Sequence, residues 1–255
     1  MSSLGQFSEY YDLLYSDKDY RRESLFILDI LDQKQKGGVS LLELGCGTGR
    51  HAVMMAEAGW NVHGIDLDSE MLMAAKERKR GLPEKISERL QFTQGDVRKF
   101  DMKRQYDAAV SLFHVVSYQT ATEDILAMFS HINAHLKPGG VFIFDYWYGP
   151  AVLTNRPEVR IKRMSSSDLH VTRLAEPKTF PNKSIVDVNY EIQIQKKGSS
   201  QVEVLHEKHR MRYFFLSEID SLLRESGLRL VSSAEWLTNN EPGLDTWGVY
   251  SVAIK

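Results

Sequence analysis

Residues 41–51, Leu-Leu-Glu-Leu-Gly-Cys-Gly-Thr-Gly-Arg-His, constrain this chain more than any other stretch. A short apolar run, read as a buried strand, breaks at Gly45, Gly47 and Gly49 and gives way to a helical pattern from Arg50 to Ala58. A strand that turns through glycine into a helix opens its main chain to a small ligand. No Cβ stands in the way, φ can be positive, and the first N–H groups of the helix lack intrahelical partners.

Strands and helices then alternate. Residues 61–66, 90–94, 106–112 and 141–145 read as strands, with a helix from Glu70 to Arg80 after a Ser69 N-cap. Another runs from Glu123 to Leu136 and stops at Lys137-Pro138-Gly139-Gly140. Upstream, residues 20–35 form a helix with Leu25, Leu28 and Leu31 as its core stripe, ended by Gly37-Gly38. Five strand–helix units in succession call for a parallel sheet with helices on both faces. After Trp147 the period changes to two: Val186, Val188, Tyr190, Ile192 and Ile194 alternate with polar residues. Antiparallel strands with one polar face follow, forming an inserted subdomain without the apolar content for a core of its own. A helix from Ser217, capped by that serine, and two strands close the chain. The expected divisions are an N-terminal helical cap (1–38), a ligand-binding core (39–150), an antiparallel β insertion (151–215) and a C-terminal completion of the core sheet (216–255).

Composition narrows the partners. With 255 residues and a formal net charge of −2, the chain lacks the basic footprint of a duplex nucleic-acid binder. The one basic cluster, Lys76 to Arg80, reads as a solvated helix face. Cys46 is the single cysteine and excludes an intrachain disulfide. No secretory signal and no apolar run long enough for a membrane span are visible, so a cytoplasmic location with no membrane partner is expected.

Two carboxylates sharpen the ligand. Asp66 closes the second predicted strand about 20 residues beyond the first glycine, where a carboxylate accepts from two ribose hydroxyls. Asp96, just past the third strand, is placed to accept from an adenine amine. The three sites meet at the carboxyl edge of adjacent strands, where open α/β sheets bind ligands. A nicotinamide-dependent oxidoreductase shares the glycines and Asp66, but its motif is Gly-x-Gly-x-x-Gly rather than the alternation found here.

With Leu42-Glu43-Leu44-Gly45-Cys46-Gly47-Thr48-Gly49, Gly64-Ile65-Asp66-Leu67-Asp68-Ser69-Glu70-Met71-Leu72, Gln94-Gly95-Asp96-Val97, Tyr106-Asp107-Ala108-Ala109-Val110 and Leu136-Lys137-Pro138-Gly139-Gly140 in this order, the chain resembles the class I S-adenosylmethionine-dependent methyltransferases. The resemblance implies an α/β, Rossmann-like seven-stranded sheet with its last strand antiparallel. It implies S-adenosyl-L-methionine as cofactor. Gly45 and Gly47 would lie along the methionine part, with Cys46 a small side chain beneath. Asp66 would hold the ribose, Leu67 and Met71 would pack on the adenine, and Asp96-Val97 would meet its edge. Leu112 and Phe113 would line the sulfonium region, with Tyr20 beside it. A closer resemblance is to the sugar N-methyltransferases that build dimethylamino-hexoses on nucleotide sugars. It rests on Phe7…Tyr11-Asp12…Tyr15…Asp19-Tyr20, on Asp145-Tyr146-Trp147-Tyr148-Gly149-Pro150, and on the place of the insertion. Where those enzymes tend to place a histidine after strand four, this chain has Tyr118, with His114 four residues earlier.

Methyl transfer needs aromatic faces around a cationic donor and an acceptor with a free lone pair. Tyr11, Tyr15, Tyr146 and Trp147 are the expected substrate contacts, and His114, Tyr118 and Tyr15 the candidate catalytic groups. Asp145 stands where metal-dependent O-methyltransferases keep a ligand, but Leu112-Phe113 replaces its companion carboxylate, so no metal is expected. The expected function is methylation of a small-molecule acceptor, with the amine of an amino sugar favoured. A small-molecule O-methyltransferase and a cofactor-binding sensor or scaffold are the alternatives, and a homodimer is the assembly considered.

Overall fold

The computed structural model describes residues 6–34, 37 and 39–255, with side chains from Tyr10 onward. Gly38 and the side chain of Phe7 lie outside them. The core sheet comprises β1 (Ser40–Leu44), β2 (Asn61–Asp66), β3 (Leu90–Gln94), β4 (Tyr106–Ser111), β5 (Leu136–Tyr148), β10 (Arg229–Glu235) and β11 (Gly248–Ile254). Strands β3-β2-β1-β4-β5 are parallel; β11 runs antiparallel to β5, and β10 antiparallel to β11. This is the expected seven-stranded sheet with its last strand reversed. Helices α1 (Gln6–Leu14), α2 (Tyr20–Lys34), α3 (Arg50–Glu57), α4 (Ser69–Arg80), α5 (Glu84–Ser87), α6 (Thr122–His135), α7 (Gly149–Thr154) and α8 (Leu216–Glu225) accompany these strands.

Strand periodicity sorts the core into two layers. Leu42, Leu44, Phe142, Phe144 and Tyr146 pack on one face with Phe129 and Ile132 of α6 and Leu222 and Leu223 of α8. Leu41, Val141 and Ile143 pack on the other with Ile27 of α2 and Ala52 and Met55 of α3. Every residue of β1 is buried, so the Gly loop leaves the middle of the sheet.

The insertion is a meander of β6 (Arg160–Ser165), β7 (Leu169–Phe180), β8 (Ile185–Lys196) and β9 (Val202–Phe214). Among the described residues its strand pairing with the core sheet is the two pairs Trp147 with Tyr213 and Tyr148 with Phe214. The insertion borrows an apolar layer from another part of the chain. Val171, Ile192 and Ile194 bury their side chains against Tyr10 and Leu14 of α1, so the N-terminal helix supplies the missing apolar layer.

Several boundaries also differ. The stripe of α2 is Ile27, Ile30 and Leu31, while Leu25 is 57% exposed; the helix is rotated by about one position from the reading based on leucines alone. The N-cap of α4 is Asp68, not Ser69, because its carboxylate accepts from the N–H groups of Glu70 and Met71. Leu136 begins β5 rather than ending α6. Leu216 opens α8 before Ser217, and Glu218 reaches back to accept from the Phe215 N–H. Arg78 is not merely solvated: it donates to Thr48 O at 3.0 Å and to Asp12 Oδ2 at 2.5 Å, tying α4 to the Gly loop and to α1.

Candidate active site

The three loop glycines are required for two different reasons. Gly45 has φ +70° and Val115 fills the space a side chain would need. At Gly49, φ +76°, Phe92 and Ala75 do the same. Gly47, φ +53°, faces open space with nothing within 4 Å of a built Cβ. That open face is where a ligand can lie along the main chain.

Asp66 shapes this loop as well as bordering it. One carboxylate oxygen accepts from the Gly47 N–H at 2.7 Å and the other from the Asp68 N–H at 2.9 Å. Burial raises its pKa against the pull of those bonds. Cys46 turns its thiol away from the ligand face, against Gly64 of β2, and burial pushes the thiol pKa up. Beneath the loop, Glu43 is fully buried with Oε2 unpartnered; burial and the nearby Asp66 charge push its pKa up to about 8.

The β2 and β3 edges form one rim, since the Gly95 N–H donates to Asp66 O at 2.9 Å and the Gln94 amide to Leu67 O at 3.0 Å. On this rim Leu67 is 65% exposed and Met71 is buried. The Asp96 carboxylate is engaged by Arg98, Nε at 2.9 Å and Nη2 at 2.7 Å, which holds its pKa down at about 2. The Val97 side chain packs inward with Phe100, leaving only its main chain for the rim.

Beyond β4 the chain makes a strained turn. Phe113 and His114 both have positive φ, 66° and 65°, a conformation bulky residues hold only when their surroundings impose it. Here Asp145, buried at the end of β5, accepts from the His114 N–H at 3.1 Å to each oxygen. Its Oδ2 also lies 2.7 Å from His114 Nδ1, in ion-pair range but out of line for a full hydrogen bond. Leu112 is buried below. The turned-out Phe113 ring meets Tyr15 edge-on at 5.0 Å, and Tyr15 meets Tyr11 at 4.7 Å.

A cavity of about 390 Å³ opens beside this turn, between Tyr15, Phe113, His114, Asp145 and Lys162 of the insertion. Lys18 sits 4.5 Å above the Phe113 ring and is ion-paired with Glu23. Glu23 also meets His51 Nε2 at 2.8 Å, and Tyr20 packs on His51 at 4.9 Å. Burial lowers the His51 pKa despite its bond to Glu23. Lys18, Glu23, His51, Lys162 and Trp236 were not among the sequence candidates. Glu23 carried a signal nonetheless: it shares the helical face of Tyr20 and Ile27.

Two substrate candidates part company. Tyr146 is fully buried on the α6/α8 side, its hydroxyl 3.1 Å from Ser251 Oγ, and does not face the cavity; strand alternation sends Asp145 one way and Tyr146 the other. Trp147 returns to the site side, 6.3 Å from the His114 ring.

Tyr118, which ends the 3-10 turn 115–118 after His114, reaches the insertion. Its hydroxyl is 2.7 Å from His209 Nδ1, and His209 Nε2 is 2.9 Å from Glu207 Oε2. Tyr10 donates to the other Glu207 oxygen at 2.6 Å, and Arg173 donates to the Tyr15 hydroxyl at 2.9 Å.

Residues 41–140 match the family model described as "Methyltransferase domain". The chain is 28% identical over 225 residues to a dTDP-3-amino-3,4,6-trideoxy-alpha-D-glucopyranose N,N-dimethyltransferase of Streptomyces venezuelae, covering 88% of this chain and 90% of that one. It is 25% identical over 226 residues to a dTDP-3-amino-3,6-dideoxy-alpha-D-glucopyranose N,N-dimethyltransferase of Streptomyces fradiae, covering 88% and 84%. The crystal structure of Streptomyces venezuelae DesVI superposes with a TM-score of 0.80 at 26% identity, over 98% of each chain.

Proposed function

We propose that this chain, an S-adenosyl-L-methionine-dependent methyltransferase, methylates the amine of a nucleotide-linked amino sugar. The observation that carries the acceptor class is the cavity between Tyr15, Phe113, His114 and Lys162. Its volume of about 390 Å³ lies in the range of small-molecule sites, and its wall is shared between the donor core and the insertion. The two relatives named for N,N-dimethylation of dTDP-linked amino sugars align over 88% of this chain, well beyond the cofactor core.

In this reading residues 39–150 and 216–255 hold the donor, while residues 1–38 and 151–215 wall the acceptor. Asp66 binds the ribose, the open main chain at Gly47 takes the methionine part, and Leu67 and Met71 flank the adenine. Asp96 and the Val97 main chain meet the adenine edge, with Arg98 sharing the carboxylate. Tyr20 and Leu112 border the cofactor. When bound, S-adenosylmethionine supplies an electrophilic methyl group, transferred as a C–N bond forms and the C–S bond breaks with its electron pair left on sulfur. The chain contributes position, water exclusion and aromatic faces for the cation, from Tyr11, Tyr15 and Phe113. Lys162 lines the acceptor cavity, ion-paired with Asp17 at 2.7 Å, and Arg173 stands behind Tyr15, donating to its hydroxyl.

The test is formation of S-adenosylhomocysteine against dTDP-linked amino sugars, simple amines and hydroxyl analogues of the same sugars. Turnover confined to the amino sugars is expected. Turnover of the hydroxyl analogues alone would overturn the acceptor assignment, and cofactor binding with no turnover of any acceptor would favour a sensor.

A further inference from the structure

Tyr118, His209 and Glu207 come from a turn of the core and from a strand of the insertion, yet they form one continuous hydrogen-bonded chain. Two ends of that chain are determined by chemistry. Glu207 is held below its ordinary pKa: burial opposes ionisation, but bonds from His209 and Tyr10 and the charge of Arg173 outweigh it. An ionised carboxylate only accepts, so the His209 nitrogen facing it, Nε2, carries the proton. In the neutral imidazole Nδ1 is then the lone pair, and the Tyr118 hydroxyl, 2.7 Å away, is the group placed to donate to it. The phenol oxygen keeps its own lone pairs for a further partner. The ring of Tyr118 is 45% exposed, one turn from His114 and the cavity. The other groups around the imidazole are Tyr190, edge-on at 4.9 Å, and Arg173, stacked over Tyr190 at 4.9 Å. Neither is placed to compete for Nδ1.

We propose that Tyr118, His209 and Glu207 form a proton relay for the acceptor, with Tyr118 meeting the substrate and His209 and Glu207 positioned behind it. This rests on the amine reading above. An amino sugar reaches the site as an ammonium without a lone pair. Its N–H proton passes to the Tyr118 oxygen as the Tyr118 proton passes to His209 Nδ1. The imidazolium so formed faces the Glu207 carboxylate and later gives its proton to solvent. The amine is left neutral and Tyr118 is restored. A clamp between turn and insertion needs no such order of donors; a relay does.

The test uses the full-length enzyme with His209→Gln, and Tyr118→Phe as a second variant. Expected for His209→Gln is a kcat lower by about a hundredfold near neutral pH. Affinity for S-adenosylmethionine should be unchanged, and the defect should shrink as pH rises and solvent deprotonates the amine. An equal loss at every pH, or no loss, overturns the relay. An activity-independent arm is ¹⁵N NMR of the His209 ring in the cofactor-free protein. The Nε2–H tautomer is expected, with the Nδ1 resonance moving toward that of an unbonded nitrogen in Tyr118→Phe. An Nδ1–H tautomer overturns the relay whatever the acceptor. A wild-type enzyme that methylates only hydroxyl acceptors sinks the amine reading, and with it the relay's substrate, even where the NMR arm holds.

Discussion

A Cβ built on Gly45 would stand 2.5 Å from Cγ2 of Val115. The glycine loop and the turn after β4 are therefore fitted to each other: position 45 can only be glycine while Val115 fills the space beside it.

Gly45→Ala should lower stability through both the left-handed backbone, roughly 1–2 kcal/mol, and the clash with Val115. The double variant Gly45→Ala/Val115→Ala should recover the clash and not the backbone cost. Denaturant melts of the cycle check this; strict additivity would show that the contact does not couple the two segments.

Asp66→Ala should abolish S-adenosylmethionine binding while leaving a folded protein. Its carboxylate also holds the Gly47 and Asp68 N–H groups, so a stability loss of about 1.5–3 kcal/mol is expected alongside. Calorimetry and a thermal melt on the same sample separate the two effects; unchanged affinity in a folded variant would refute the role.

Glu43→Gln should change the pH dependence of stability. Burial and Asp66 move the Glu43 pKa from an ordinary 4.5 to about 8, so the folded state favours its protonated form. That contribution is complete below 4.5 and is lost as pH rises through about 8. Wild type should therefore lose stability relative to the glutamine variant across this window, on the order of a few kcal/mol. A difference that stays constant with pH would mean Glu43 titrates normally.

Tyr146→Phe should cost about 1 kcal/mol for the bond to Ser251 and leave the acceptor KM untouched. A raised KM would return Tyr146 to the substrate wall.

The glycine loop and the carboxylate beside it were legible because they depend on local chemistry. Positive φ favours glycine, and a carboxylate at a strand end reads as a hydroxyl acceptor, so Gly47 and Asp66 stood out. The alternation of the insertion strands was equally plain. Other features depend on tertiary contacts. Tyr146 sits in an aromatic stretch, yet its place in the strand period sends it into the core. Asp96 gives no hint in sequence that Arg98 straddles it. Glu207 and His209 looked like the polar face of a half-buried strand, and only the fold brings them to Tyr118. The insertion's missing apolar layer lay in α1, far away in the chain.

The joint between the two sheets has an evolutionary reading. Among the described residues, strand pairing splices the meander to the core sheet at Trp147–Tyr213 and Tyr148–Phe214. On the proposed division of roles, residues that wall the acceptor can thus be exchanged with little disturbance to those that hold the methyl donor. A chain built this way can change clients while keeping its currency.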